Sequence, residues 1–243
     1  ILLLYQIKVL NPEADSSELN WFNNKVIKKA KNQIKDTIQY FKDFRDLPIE
    51  NERGHIFNIG AINTTNAKKI IIYTPAQSFP KEKRFIKFTK SKTVGLIHLF
   101  HSTDYANICR FLFTPTEIDE YLSFRETLYK KHKQKLNTLP EQYVLGHFLG
   151  STNTDKLDLT YLKYLKNLNK NESEFDISFI IDLFQESIIK VGSGNDYYFI
   201  IKEIAKLDRA ELKEFKLRFK LSLEKAELQK FTLPYRMTMI RTG

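Results

Sequence analysis

Hydrophobic and polar positions along the chain follow two periods in turn, and the change of period marks its parts. Residues 1–10, Ile-Leu-Leu-Leu-Tyr-Gln-Ile-Lys-Val-Leu, are apolar except for Gln6 and Lys8, and Asn11-Pro12 closes the run. A short apolar segment rich in β-branched and aromatic residues predicts a buried strand. Alternation along it puts Leu2, Leu4, Gln6, Lys8 and Leu10 on one side and Leu3, Tyr5, Ile7 and Val9 on the other. Desolvating an amide and an ammonium there is costly unless they are paired or lie at the margin of a site. The period then lengthens. Leu19, Phe22, Val26, Ala30, Ile34, Ile38 and Phe41 recur every three or four residues, which predicts a helix over 19–44 with one buried stripe. Ser16 or Ser17 stands where a cap belongs. The outer face carries Lys25, Lys28, Lys29, Lys31, Lys35 and Lys42, equally a solvated face or a ridge that meets phosphates.

Residues 47–66 hold Pro48, Gly54 and Gly60 and read as a loop carrying a hairpin. Strands are expected over 69–74, 84–89 and 93–98, the first apolar on both faces like a central strand covered by helices. From Ser102 the pattern is helical. Thr114-Pro115-Thr116-Glu117 is a capping box with Pro at the first helical position, opening a helix to about 136. Further helices are expected over 140–149, 156–168, 176–190 and 195–206, then a long one capped by Asp208, and a last strand over 234–241. The expected architecture is an α/β domain over 1–101, a mixed sheet flanked by helices, followed by a mostly helical domain over 102–243 that ends in a short strand.

At 243 residues and 42% hydrophobic content the chain is long enough and apolar enough for a packed core, so a disordered chain is excluded. No apolar run approaches a membrane span, so no membrane partner is expected. The chain starts at Ile rather than Met and reads as lacking upstream residues. The single Cys109 excludes an intrachain disulfide and fits a cytoplasmic location. Net charge is +10, and it is unevenly spread: residues 1–100 carry 17 Lys and Arg against 9 Asp and Glu, residues 101–243 carry 22 against 20. A basic field in the first half favours polyanions.

A strand bearing Gln6-Ile7-Lys8, a turn, a long amphipathic helix and a buried strand is similar to the second half of the PD-(D/E)XK nuclease core, over about residues 1–74. That superfamily places an acidic residue, any residue and Lys on a strand. Gln in the acidic place resembles the QxK variant of Mrr-like restriction enzymes. The stretch from Trp21 to Gln33, with Asn51-Glu52-Arg53-Gly54-His55 and Phe124-Arg125-Glu126, also resembles a set of bacterial proteins with such a start and a helical tail. The resemblance implies a restriction-endonuclease-like fold and metal-dependent cleavage of DNA in a defence or repair setting. Lys8 would orient the attacking water and stabilise charge in the transition state. Gln6 and the Ile7 carbonyl would be ligands of Mg2+ or Mn2+, with Gln33 facing the site. Lys25, Lys28, Lys29 and Lys35 would contact nucleic acid, and a homo-oligomer is compatible with this picture. The superfamily's acidic ligands would lie upstream of Ile1. Without them the chain would be a catalytically inactive binding module for nucleic acid or protein.

Other constellations carry less. Arg125 and His132, seven apart on the capped helix, fall within the loose spacing of HEPN ribonucleases. His98 and His101 form an HxxH with no third ligand in sequence, and Cys109 reads as a small core residue. Gly192-Ser193-Gly194 lacks the Lys of a phosphate loop. The ridge Lys213, Lys216, Arg218 and Lys220 is laced with Glu. Trp21 and Tyr40 are expected to pack in the core or on the helix, with base stacking the less weighted alternative.

Overall fold

The computed structural model describes residues 1–13, 17–168, 172–188 and 195–228. By its contacts the chain forms two compact units, one of residues 1–110 and 119–166, the other of 111–118 and 167–243.

The first unit is built on a four-stranded mixed sheet in the order β1 (Leu3–Val9), β4 (Lys68–Thr74), β6 (Gly95–His101), β5 (Phe88–Ser91). β1, β4 and β6 run parallel and β5 is antiparallel to β6. Central β4 buries Ile70, Ile71 and Tyr73, as a strand without polar positions in its middle requires. A small antiparallel hairpin, β2 (Pro48–Glu50) and β3 (Ile56–Asn58), occupies the expected loop.

A parallel pair needs a crossover, and here a helix supplies it. It begins as α1 (Glu18–Trp21), with the Ser17 hydroxyl accepting from the Asn20 N–H, widens into a π-helix over Phe22–Lys29 and continues as α2 (Ala30–Asp43). Its buried positions Phe22, Val26, Ala30 and Ile34 are spaced by four. That spacing drifts around a 3.6-residue turn, and a stretch of wider turns keeps the stripe on one side. The stripe and Trp21 pack on Ile71, Tyr73, Ile97 and Leu99.

Two expectations are corrected. Residues 84–89 are not one strand: α3 (Lys81–Arg84) ends there and β5 starts at Phe88, after Pro80 opens the helical turn. The turn to β6 ends at Gly95, whose φ of +77° suits only glycine at low cost. The boundary at 101/102 is also displaced. α4 (Ser102–Phe111), most of α5 (Pro115–Leu136), and α6 (Glu141–Gly150) group with the sheet, as do the 3-10 turn Leu159–Tyr161 and the start of α7 (Leu162–Leu168).

The second unit packs Phe175, Ile204, Leu207 and Leu212 from the loop before α8 (Ser178–Ser187), the end of α9 (Tyr198–Ile204) and the start of α10 (Arg209–Glu227). The start of α5 lies in this unit too. Thr114 Oγ1 accepts from the Glu117 N–H at 3.2 Å, while the Glu117 carboxylate takes the Phe113 N–H at 2.7 Å and Arg209 Nε at 2.9 Å. Asp208 and Glu211 form a reciprocal capping box on α10. Removing the cap in Asp208→Ala is expected to cost this unit about 1 kcal/mol, read as a lower urea midpoint at unchanged m-value. The expected strand over 234–241 and the Gly192-Ser193-Gly194 turn lie outside the described residues. Among the described residues no helix is long and apolar enough to cross a membrane.

Candidate functional site

The pair that interrupts the first strand meets a partner from the crossover helix. Lys8 Nζ donates to Gln33 Oε1 at 2.6 Å and to Gln6 Oε1 at 3.3 Å. Gln6 and Lys8 share a face because they are two apart on β1, and Gln33 reaches them because the stripe at Ile34 turns that side of α2 to the sheet. An ammonium has three N–H groups. Two are taken, and the third has no partner among the described residues. Burial, and then the charge of Lys29, hold the Lys8 pKa below its ordinary value. Lys29 is the helix lysine whose charge acts on Lys8; Lys25, Lys28 and Lys35 are exposed elsewhere on the helix, and Lys35 is turned about 200° from Gln33.

The same face of α2 continues into exposed aromatic rings. Tyr40 lies within about 20° of Gln33 around the helix and about 10 Å along it. Its ring is 4.5 Å from that of Phe44, and the two residues are 52% and 48% exposed. Trp21, by contrast, is buried in the core between the helix and the sheet, as the packing expectation for it requires. Asp36, about 60° round from Gln33, marks the margin of the face.

The donor set does not fit a magnesium site. A hard dication takes oxygen ligands that usually include one or two carboxylates. Here both amide oxygens are turned to an ammonium, which would repel the ion. The Leu2 carbonyl and the Leu10 N–H bond to β4, so the alternate residue Ile7 turns its carbonyl away from β4. Among the described residues no three His, Cys, Asp or Glu side chains converge as a metal group.

A second cluster of the first unit lies deep in the core. Arg125 is fully buried and all five of its N–H groups are used: on Glu141 at 2.7 and 3.1 Å, on the Lys87 and Leu99 carbonyls at 3.0 Å each, and on His98 Nδ1 at 3.2 Å. Glu141 also takes the Lys87 ammonium at 3.0 Å and the Tyr121 hydroxyl. Burial alone would raise the Glu141 pKa, but Arg125 and Lys87 hold it well below the usual carboxylate range. The ribonuclease expectation for Arg125 and His132 is corrected here. Arg125 has no N–H left for a phosphate, and His132 Nε2 is engaged with the Thr154 carbonyl at 2.9 Å. Arg125 sits in the apolar stripe of α5 among Tyr121, Leu122 and Leu128, whereas Lys130, Lys131 and Lys133 on the same helix are exposed. Cys109 is exposed rather than in the core.

No family model, no curated protein and no solved structure matches the chain.

Proposed function

We propose that the chain is a single-stranded nucleic-acid binding module in which Lys8 holds a backbone phosphate and Tyr40 with Phe44 stacks bases. The observation that carries this reading is the face of α2 on which Gln33 clamps the partly desolvated Lys8 ammonium of β1 at 2.6 Å and Tyr40 is exposed, its ring against that of exposed Phe44 just past the helix end. The ammonium's third N–H and the neighbouring Lys29 supply the anion contact, and the amides of Gln6 and Gln33 fix its position. The distance of about 10 Å between Gln33 and Tyr40 along the axis corresponds to about three stacked nucleotides at ~3.4 Å each. Stacking on aromatic rings needs unpaired bases, so a single strand is preferred to a duplex.

Anisotropy titration of a labelled oligothymidylate at low salt tests this. Tyr40→Ala is expected to weaken binding about fivefold to a hundredfold, the range for a lost base stack. Lys29→Glu is expected to weaken it and to lower the slope of log K against log salt by about 0.7. Absence of binding to single-stranded DNA and RNA, or a duplex bound as well as the single strand, overturns the reading.

A second reading, metal-dependent phosphodiesterase, draws on the β1–helix–β4 crossover with Lys8 between two amides. It requires acidic ligands, which the cluster of Gln6, Lys8 and Gln33 does not contain. Cleavage in Mg2+ or Mn2+ that Lys8→Ala removes would establish it over binding alone.

A further inference from the structure

At the carboxyl ends of β4 and β6 lies a cavity of about 240 Å3 that shares no residue with the Lys8 cluster. Its polar lining is Thr74, Gln77, Arg84, His101, Ser102 and Thr103, and among the described residues no carboxylate contributes. The volume is below the ~300–1,000 Å3 of drug-sized pockets, so it suits one compact group.

The lining is organised to donate. His101 Nδ1 accepts the Thr103 N–H at 3.2 Å, which leaves the proton of the neutral ring on Nε2. Burial, and then the charge of Arg84, lower the His101 pKa and keep that ring neutral at pH 7. Arg84 is exposed, and its guanidinium has no hydrogen bond or ion pair among the described residues. Its charge reaches His101, Tyr73 and Asp104. Three hydroxyls and the Gln77 amide complete a set of donors from three separate chain segments. α4 begins at Ser102, so the positive end of its dipole adds to the same field. Asp104, in the first turn of α4, is outside the lining.

We propose that this cavity is a phosphate site, in which the Arg84 guanidinium, the His101 Nε2–H and the surrounding hydroxyls bind a phosphoryl group. Donors approaching from several sides match a tetrahedral oxyanion better than a planar carboxylate, and an Arg fork matches phosphate oxygens in pairs.

Amide NMR spectra of the whole chain, titrated with inorganic phosphate, test it. Shifts that saturate and centre on Ser102 and Thr103 are expected, and Arg84→Gln is expected to weaken binding at least about tenfold. The exposed Lys90, outside the lining, serves as control: Lys90→Gln is expected to bind as the parent does. Shifts that rise linearly and scatter over surface lysines overturn the proposal, as does an Arg84→Gln variant that binds within twofold of the parent. Competition by 5′-phosphorylated oligothymidylate, but not by its 5′-hydroxyl form, identifies the source as a nucleic-acid end. Phosphate binding that both oligonucleotides leave intact identifies a free phosphate or small ester. Because the readout is inorganic phosphate at Thr103, its failure leaves the anisotropy result at Tyr40 standing, and the reverse also holds.

Discussion

Glu141→Gln is expected to destabilise the first unit by about 3–5 kcal/mol, the range for breaking a buried ion pair from one side. The carboxylate is 3% exposed and is the anion between two cations, Arg125 at 0% and Lys87 at 2%. An amide in its place keeps the shape and loses the charge. The two cations respond differently. Burial already lowers the Lys87 pKa, so Lys87 can shed its proton. Arg125 cannot, and it remains a buried charge whose other hydrogen bonds go to two carbonyls and a neutral ring. Urea unfolding followed by circular dichroism measures the loss. A double-mutant cycle with Lys87→Met separates the pair from general disruption, because Lys87 serves Arg125 through its backbone carbonyl, which Met retains. Lys87→Met should cost less in the Glu141→Gln background than in the parent. A single-variant loss below about 1 kcal/mol would show that the network is not a main support of the core.

The parts of this fold that were legible in the sequence are those where periodicity and burial coincide. The alternation around Gln6 and Lys8 placed both on one face of a strand, and the stripe through Val26, Ala30 and Ile34 placed the helix over the sheet. The 2.6 Å contact of Lys8 with Gln33 joins residues 25 apart, and spacing within a single element could not supply it. The buried ionic cluster was not legible because Arg, Glu and Lys carry the same letters inside as outside. One signal was present: Arg125 sits where the stripe of Tyr121, Leu122 and Leu128 demands an apolar residue, and an ionic residue at such a position implies an internal counter-charge. That internal pairing is also why the boundary at 101/102 failed. Arg125 on α5 bonds the carbonyls of Lys87 and Leu99, so the helix belongs to the sheet's unit despite the helical texture of its sequence.

The same cluster predicts loss of stability in mild acid. His98 Nδ1 accepts from Arg125, so its Nε2 carries the proton that it donates to Glu126 at 3.0 Å. Burial, opposed by the Glu126 hydrogen bond and reinforced by Arg125, lowers the His98 pKa from 6.5 to about 4. A base depressed in the fold stays neutral while the unfolded chain takes up the proton. The unfolded state therefore binds more protons between pH 6.5 and about 4, and stability falls as pH falls through that window. At about 1.4 kcal/mol per pKa unit the loss approaches ~3 kcal/mol. Glu126 extends it: burial raises its pKa, but hydrogen bonds from His98 and Lys68 bring it to about 2, so its contribution is present above 4.5 and disappears below. His101 and His147, also lowered by burial, tilt the profile in the same direction. His98→Gln isolates the main contributor, since an amide can accept from Arg125 and donate to Glu126 without titrating. Urea midpoints at pH 7, 6, 5 and 4 should decline less steeply in this variant than in the parent. Parallel profiles would mean that His98 is already protonated in the native core, and that a cation rather than a neutral ring faces Arg125.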